Sequence, residues 1–342
     1  MAKKGILIVN LGTPDSPETP DVRKYLREFL MDGRVIDIDG WKRWMLVNLI
    51  IAPFRAPKSS KEYKKVWTKE GSPLLIYGEK VLAMLKQELG DEYHVALGMR
   101  YQSPSIERAL EELKAAKVKD ITVIPLFPQY ASATSGSVAD KVMEIVRGWQ
   151  IIPDIKFVQH FHRHPLFIKT FAEIGKKYLE KEQYDQVVFS YHGLPERQII
   201  KAATESCCKL QDTSCSCNAE ANTYCYRSAC FETSRLLAAE LGLSEDQYTV
   251  CFQSRLGKDP WIQPYTEDVV KQLAQEGKKR VLAFCPAFVA DCLETVIEVG
   301  EEYKEQFEEE GGEHWQMVES LNDHPQWVEC LVDLAKNGKS IV

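Results

Sequence analysis

Three groups of residues in this 342-residue chain carry side chains able to do chemistry. The first is His192, which closes the apolar run "VVFSYH" and precedes Gly193, a residue that lets a ligand or another backbone come close. Imidazole accepts a proton near neutral pH or ligates a metal. The competing reading is a histidine that merely caps the strand by hydrogen bonding, and residue type alone weighs the two about equally. The second group is an acid ladder, Asp291, Glu294 and Glu298 in "PAFVADCLETVIE". Spacings of three and four place these carboxylates on one face of a helix, with Leu293, Val296 and Ile297 on the core side. Three acids in line could pass protons or a cation, but carboxylates at a helix N-terminus are also favoured by its dipole, and spacing alone favours that blander reading. The third group is "SCCKLQDTSCSCNAEANTYCYRSAC", which holds six of the ten cysteines, at 207, 208, 215, 217, 225 and 230. The chain starts without an export signal, so a reducing compartment is expected, where clustered thiols ligate metal more often than they form disulfides. Four thiolates suit Zn²⁺ or a [2Fe–2S] cluster, and the spacing does not choose between them.

These residues must be positioned by a chain too long for one core, and two domains of about 150 residues are expected. The pattern repeats: a run rich in Val, Ile and Phe, a loop with Gly, Pro or Ser, then an amphipathic stretch, which is the signature of βαβ units and parallel sheets. The strands read "GILIVNL", "HVALGMRY" and "DITVIPLF" in the first half, and "DIKFVQHF", "DQVVFSYHG", "QYTVCFQS" and "RVLAFCPAF" in the second. Thr19 and Ser103, each followed by proline, read as helix starts. The expected division is a first α/β domain over 1–149, a second over 150–322 with a cysteine-rich insertion at 203–225, and a C-terminal helix over 323–342 packing back on the body. Ligands of parallel sheets bind beyond the carboxyl ends of the strands, which is where His192 and the acid ladder fall.

Other features carry less. A net charge of −7 without a basic stripe excludes a typical nucleic-acid binder. No G-x-G-x-x-G follows a strand, and "ATSGS" lacks the lysine of a phosphate-binding loop, so it reads as a tight strand-to-helix turn. His160, His162 and His164 alternate in "HFHRH", but Pro165 ends the strand, and a metal site there is disfavoured. The longest apolar run, Trp44 to Phe54, falls short of the roughly 20 apolar residues that span a bilayer. Together with Trp41 it lines a pocket mouth, packs as core, or lies on a membrane surface.

Seven blocks, "GILIVNLGTPDSP", "GSPLLIYG", "LGMRYQSPS", "PLFPQYASATSGS", "FSYHGLPER", "FQSRLGKDPWIQPYTED" and "PAFVADCLET", stand in an order and at a spacing that resembles the ferrochelatases over nearly the whole chain. The resemblance implies two Rossmann-like domains and insertion of Fe²⁺ into protoporphyrin IX to make protohaem, with coproporphyrin III as the alternative substrate. A metal or redox protein on the same scaffold, with the cysteines as its working end, is the alternative from another class. His192 matches the family's active-site histidine, and Glu294 its partner carboxylate. Both are implied to handle the substrate iron, with Asp291 and Glu298 as an acidic path. Leu11, Arg55, Tyr63, Ser72, Arg100, Tyr101, Trp261 and Phe288 match positions that line the porphyrin site. The chemistry is coherent: imidazole takes a pyrrole proton, hard carboxylates hold a divalent ion in transit, and arginines answer the propionates.

Shorter relatives cross from "YHG" to the helix "CFETSRLLAAELG" with roughly 20 fewer residues. The cysteines therefore sit in an insertion, and the resemblance favours a [2Fe–2S] cluster held by four of Cys207, Cys208, Cys215, Cys217 and Cys225, with Cys230, at the opening of the helix, a weaker candidate. Ser132 stands where animal members carry a cluster cysteine, so an animal-type cluster is not expected. A cytoplasmic enzyme with peripheral membrane contact is the expected setting, and oligomeric state is not legible.

Overall fold

The computed structural model describes residues 3–203, 210, 215, 223–255, 257 and 259–338. The chain divides into two compact units, one built from Met1–Phe127, Ala131–His160 and Val328–Ser340, the other from Pro128–Tyr130 and Phe161–Trp327. In the first, strands β1 (Lys4–Gly12), β2 (Tyr93–Tyr101), β3 (Asp120–Pro125) and β4 (Asp154–Phe157) form a sheet in the order β2-β1-β3-β4. In the second, β5 (Gln186–His192), β6 (Tyr248–Gln253), β7 (Arg280–Phe284) and β8 (His314–Met317) repeat that order as β6-β5-β7-β8. All pairings are parallel.

The sequence explains this economy. The central strands β1 and β5 are continuous apolar runs because helices cover both of their faces. Ile6, Leu7, Ile8 and Val9 are essentially inaccessible, as are Val188, Phe189 and Tyr191. Leu7, Val9, Ala96, Leu110 and Val123 gather in one core, and Val188, Cys251, Val270, Val281 and Trp315 in the other.

Several expectations need correction. β4 was expected in the second domain, yet Asp154–Phe157 pairs with Asp120–Val123 and extends the first sheet at its edge. Hydrophobic periodicity identifies a strand but not the sheet it joins, so the boundary at 150 falls about ten residues early. β8 was missed because "HWQM" is four residues long and half polar, an ordinary edge strand. Glu18, not Thr19, precedes the first helical residue, and Ser105, not Ser103, caps the helix Ile106–Ala115, its hydroxyl accepting the Arg108 N–H at 3.2 Å. The helix after the cysteine segment begins at Tyr226, so Cys225 is its N-cap and Cys230 lies a turn inside rather than opening it. The C-terminal helix spans Pro325–Asn337 and belongs to the first unit from Val328 onward.

Three short stretches wind as π-helix: Leu46–Ile51, Ser132–Gly136 and Glu294–Glu302. The last was expected as an ordinary α-helix. Its i→i+5 bonding, seen where Tyr303 N–H reaches the Glu298 carbonyl, widens the turn and changes which residues share a face. Thr295, Ile297 and Val299 are buried, while Leu293 and Val296, expected in the core, are only half-buried. Such turns concentrate at functional sites.

Candidate active site

In the second unit, His192 is the last residue of β5, and parallel strands converge on it from either side. β6 ends opposite, with Gln253 in register with His192, and β7 leads through residues 285–293 into the π-helix that begins at Glu294. The His192 ring is half-buried, and its Nδ1 lies 2.7 Å from the Gly193 carbonyl oxygen. A carbonyl only accepts, so Nδ1 carries a proton, and in the neutral ring Nε2 is then the lone pair. Tyr226 fixes the main chain by donating to the His192 carbonyl at 2.8 Å. Trp261, nearly buried, stands 6.4 Å from the imidazole, centroid to centroid, and its indole N–H is buried without an acceptor among the described residues. Gly193 is required by space: a Cβ there would meet the Gln253 carbonyl at 2.8 Å and the Trp261 ring at 3.1 Å.

The three acids do not behave as one ladder. Asp291 precedes the π-helix and ties two loops: Oδ1 accepts the Ser320 N–H at 3.0 Å and Oδ2 accepts the Asn322 amide at 2.8 Å. Glu294 and Glu298 are half-buried on the π-helix and share a partner, Gln253, whose amide reaches the Glu294 carbonyl at 3.0 Å and the Glu298 carboxylate at 3.1 Å. Ser254 donates to the same Glu298 oxygen at 2.6 Å, and Tyr303 to the other at 3.2 Å. Burial and the Glu298 charge together push the Tyr303 phenol far above its ordinary range, so it remains the donor. Glu298 opens onto a cavity of about 200 Å³ lined also by Ser254, Arg255, Tyr265 and Glu302. Phe288 packs partly buried against the core of this unit.

In the first unit, Leu11, Arg100 and Tyr101 lie at the carboxyl ends of β1 and β2, where Gly12 pairs with Tyr101. Gly12 has φ +109°, and a Cβ would fall 2.0 Å from the Tyr101 carbonyl oxygen, so only glycine fits. Ser72 starts the helix Pro73–Leu89 and accepts from the Thr13 hydroxyl at 2.9 Å. Tyr63 meets Tyr101 through the ring of Tyr25, with centroids 6.3 and 6.5 Å apart. Arg55 is exposed on the helix Ala52–Val66. Arg100 is instead engaged within the fold: its guanidinium pairs with Asp32 at 2.6 Å and donates to Ser137 Oγ at 2.6 Å. Tyr101 also donates to Asp32, at 2.9 Å. Burial alone would raise the Asp32 pKa, but hydrogen bonds from Ser137 and the Arg34 N–H, with the Arg100 charge, hold it below the usual range. Asp32, like Gln253, was missed: nothing in "LMDGRV" or "FQSR" marks either residue.

The expected apolar segment is not core. Trp41, Trp44, Leu49, Ile50 and Phe54 are all more than half exposed, on helix Gly40–Met45, the π-turn after it and the start of the next helix. No helix among the described residues is long and apolar enough to cross a membrane. His164 caps the helix Pro165–Leu179, accepting the Leu166 N–H, while His162 faces Glu232 at 3.3 Å. Among the described residues no group of three or more His, Cys, Asp and Glu is arranged to hold a metal ion.

Cys207, Cys208 and Cys217 lie outside the described residues. Cys215 and Cys225 are buried, and Cys230 is fully buried. Burial raises the Cys230 thiol well above its ordinary range, against a hydrogen bond from Tyr226 that lowers it, with Cys225 adding a smaller rise. Buried thiols become thiolates when a cation compensates them. Cys215 and Cys225 offer the sulfur donor type that a thiolate-held metal would need.

Comparison with known proteins identifies the family. Residues 3–339 match the family model described as Ferrochelatase. A ferrochelatase of Legionella pneumophila (strain Paris) is 46% identical over 329 residues, covering 96% of this chain and 97% of the relative. One from Coxiella burnetii (strain Dugway 5J108-111) is 44% identical over 336 residues, covering 98% and 94%. The solved structure of SirB from Bacillus subtilis with Fe³⁺ shares the fold at a TM-score of 0.55 and 11% identity, covering 98% of this chain and 95% of that one. The chain thus belongs to the ferrochelatase family, enzymes that insert ferrous iron into a porphyrin.

Proposed function

We propose that the porphyrin is protoporphyrin IX, the product protohaem, and that His192 is the base which receives a pyrrole proton. The observation that carries the assignment of the base is the Nδ1 bond to the Gly193 carbonyl, which in the neutral ring leaves Nε2 as the acceptor at the end of β5. Insertion replaces two pyrrole N–H protons by Fe²⁺, so the protein must provide a proton acceptor and a transient home for a divalent ion. Glu294, at the first position of the π-helix, supplies the carboxylate partner that receives the substrate iron. Glu298, held by three donors, keeps its carboxylate fixed along the approach, while Asp291 braces the loop that carries them. Leu11, Tyr63 and Ser72 in the first unit are wall positions for the macrocycle, as are Trp261 and Phe288 in the second. Arg55 answers a propionate from the exposed side of its helix, and Arg100 orders Tyr101 and Asp32 behind that wall. Anaerobic initial rates with Fe²⁺ and either protoporphyrin IX or coproporphyrin III, followed at the Soret band, test the substrate. Faster metallation of coproporphyrin III would overturn it.

Four of Cys207, Cys208, Cys215, Cys217 and Cys225 would hold a [2Fe–2S] cluster, a one-electron centre when bound. The burial of Cys215 and Cys225, which shields their sulfurs from solvent, supports this reading. A brown protein with visible charge-transfer bands is expected, and a colourless protein with stoichiometric zinc would contradict it. The exposed apolar segment 41–54 is the surface by which a cytoplasmic enzyme would rest on a membrane.

A further inference from the structure

We propose that Gln253 is a positioning residue for iron insertion, locking the end of the histidine strand and the acid-bearing π-helix into one geometry. The inference rests on the roles proposed above for His192, Glu294 and Glu298.

The backbone oxygen and both side-chain polar atoms of Gln253 are engaged, and each reaches a different part of the site. Its backbone oxygen accepts the Gly193 N–H at 2.8 Å, which anchors the residue whose own carbonyl receives the His192 Nδ1 proton. Its side-chain nitrogen donates twice, to the Glu294 carbonyl at 3.0 Å and to the Glu298 carboxylate at 3.1 Å. Its side-chain oxygen accepts from Ser190 Oγ at 2.7 Å, and Ser190 in turn meets Thr266 at 3.0 Å. Both partners of the amide nitrogen are pure acceptors and one partner of the amide oxygen is a hydroxyl, so only one orientation of the amide satisfies the set. The residue is 1% exposed and touches no solvent that could replace these bonds.

A π-helix needs such a tie more than an α-helix does. Its wide turn is poorly self-supporting, and here the tie falls on the first residue of the turn and on the acid four residues later. With the amide removed, the Glu294 carbonyl and one Glu298 oxygen each lose a buried donor. Ser254 and Tyr303 still hold Glu298, but Glu294 keeps no link through this residue to the histidine strand. Supporting residues of this kind around metal-handling groups are worth about 10–100-fold.

The test compares wild type, Gln253→Leu, Glu298→Gln, the double variant and Ser254→Ala in anaerobic Fe²⁺ insertion into protoporphyrin IX, with rates normalised to porphyrin-binding sites. Gln253→Leu removes the amide, is one atom shorter, and keeps the backbone bond to Gly193. The expected result is a roughly 10–100-fold lower kcat with the porphyrin KM within about threefold of wild type. The double variant should lose less than the product of the two single losses, because both act in part through the same carboxylate. Ser254→Ala should show a smaller loss of the same kind, and it carries the test if Gln253→Leu fails to fold. A wild-type kcat in Gln253→Leu alongside a slowed Glu298→Gln, or losses that multiply in the double variant, would overturn the positioning role alone. A wild-type rate in Glu298→Gln would overturn the assignment of Glu298, and the positioning role with it.

Discussion

Replacing Gly193 by alanine should damage both stability and catalysis, because the added methyl has nowhere to go. The nearest atoms to a Cβ at this position are the Gln253 carbonyl oxygen at 2.8 Å, Trp261 Cε3 at 3.1 Å and Phe252 Cβ at 3.7 Å. The closest contact is backbone, in the strand next to β5, and cannot rotate away. Its carbonyl is also the one that accepts the Gly193 N–H at 2.8 Å, so relieving the clash stretches that bond. Overpacking of this kind costs about 1–3 kcal/mol, and a weakened hydrogen bond adds up to roughly 1 kcal/mol. Each kcal/mol corresponds to a fall in Tm of about 2–4 °C in a protein of this class. The catalytic cost follows from place: the shift falls between the His192 ring and its tryptophan neighbour, and a displacement of about 1 Å can cost on the order of 100-fold in rate. Thermal unfolding and anaerobic Fe²⁺ insertion are measured on Gly193→Ala beside Gly148→Ala, whose nearest contact is an ordinary 3.4 Å. Equal Tm and equal turnover in the two variants would refute the packing reasoning.

Two further outcomes follow from other parts of the molecule. Burial alone would raise Glu232, but hydrogen bonds from His162 and Arg163 and the Arg163 charge hold its pKa at about 2, against an ordinary 4.5. Its side chain is 14% exposed, so little of this is screened. A depressed carboxylate stabilises fully above its unfolded pKa and loses that contribution as pH falls from about 4.5 towards 2, here up to about 3 kcal/mol. Denaturation between those pH values should therefore show wild type losing stability that Glu232→Gln never had, and parallel pH profiles would contradict the pairing. For the apolar segment, a Trp44→Asp/Leu49→Asp variant should partition into liposomes less than wild type, since both residues are more than half exposed; equal partitioning would remove the proposed membrane contact.

What the sequence discloses is set by what leaves a mark in residue type. Fully buried parallel strands are runs of Val, Ile and Phe, so β1, β5 and β7 are legible, as is the place of His192 at a strand's carboxyl end. The sheet that Asp154–Phe157 joins is not, because pairing depends on which edge remains open after the preceding helix. The π-helix at Glu294–Glu302 has the composition of an α-helix, and only its hydrogen bonds distinguish it. A family pattern can mark Arg100 as a wall position without revealing that Asp32 neutralises it, or mark Glu298 without revealing Gln253 behind it. Polar side chains that act through other residues have no periodicity to betray them.

The central claim is that the imidazole of His192, held with its proton on Nδ1, accepts a pyrrole proton. It is tested most directly by His192→Ala, measuring porphyrin binding and Fe²⁺ insertion on the same sample. Binding close to that of wild type, with insertion slowed by about 10²–10⁴-fold, is the predicted result. Near-normal turnover in that variant would contradict the account.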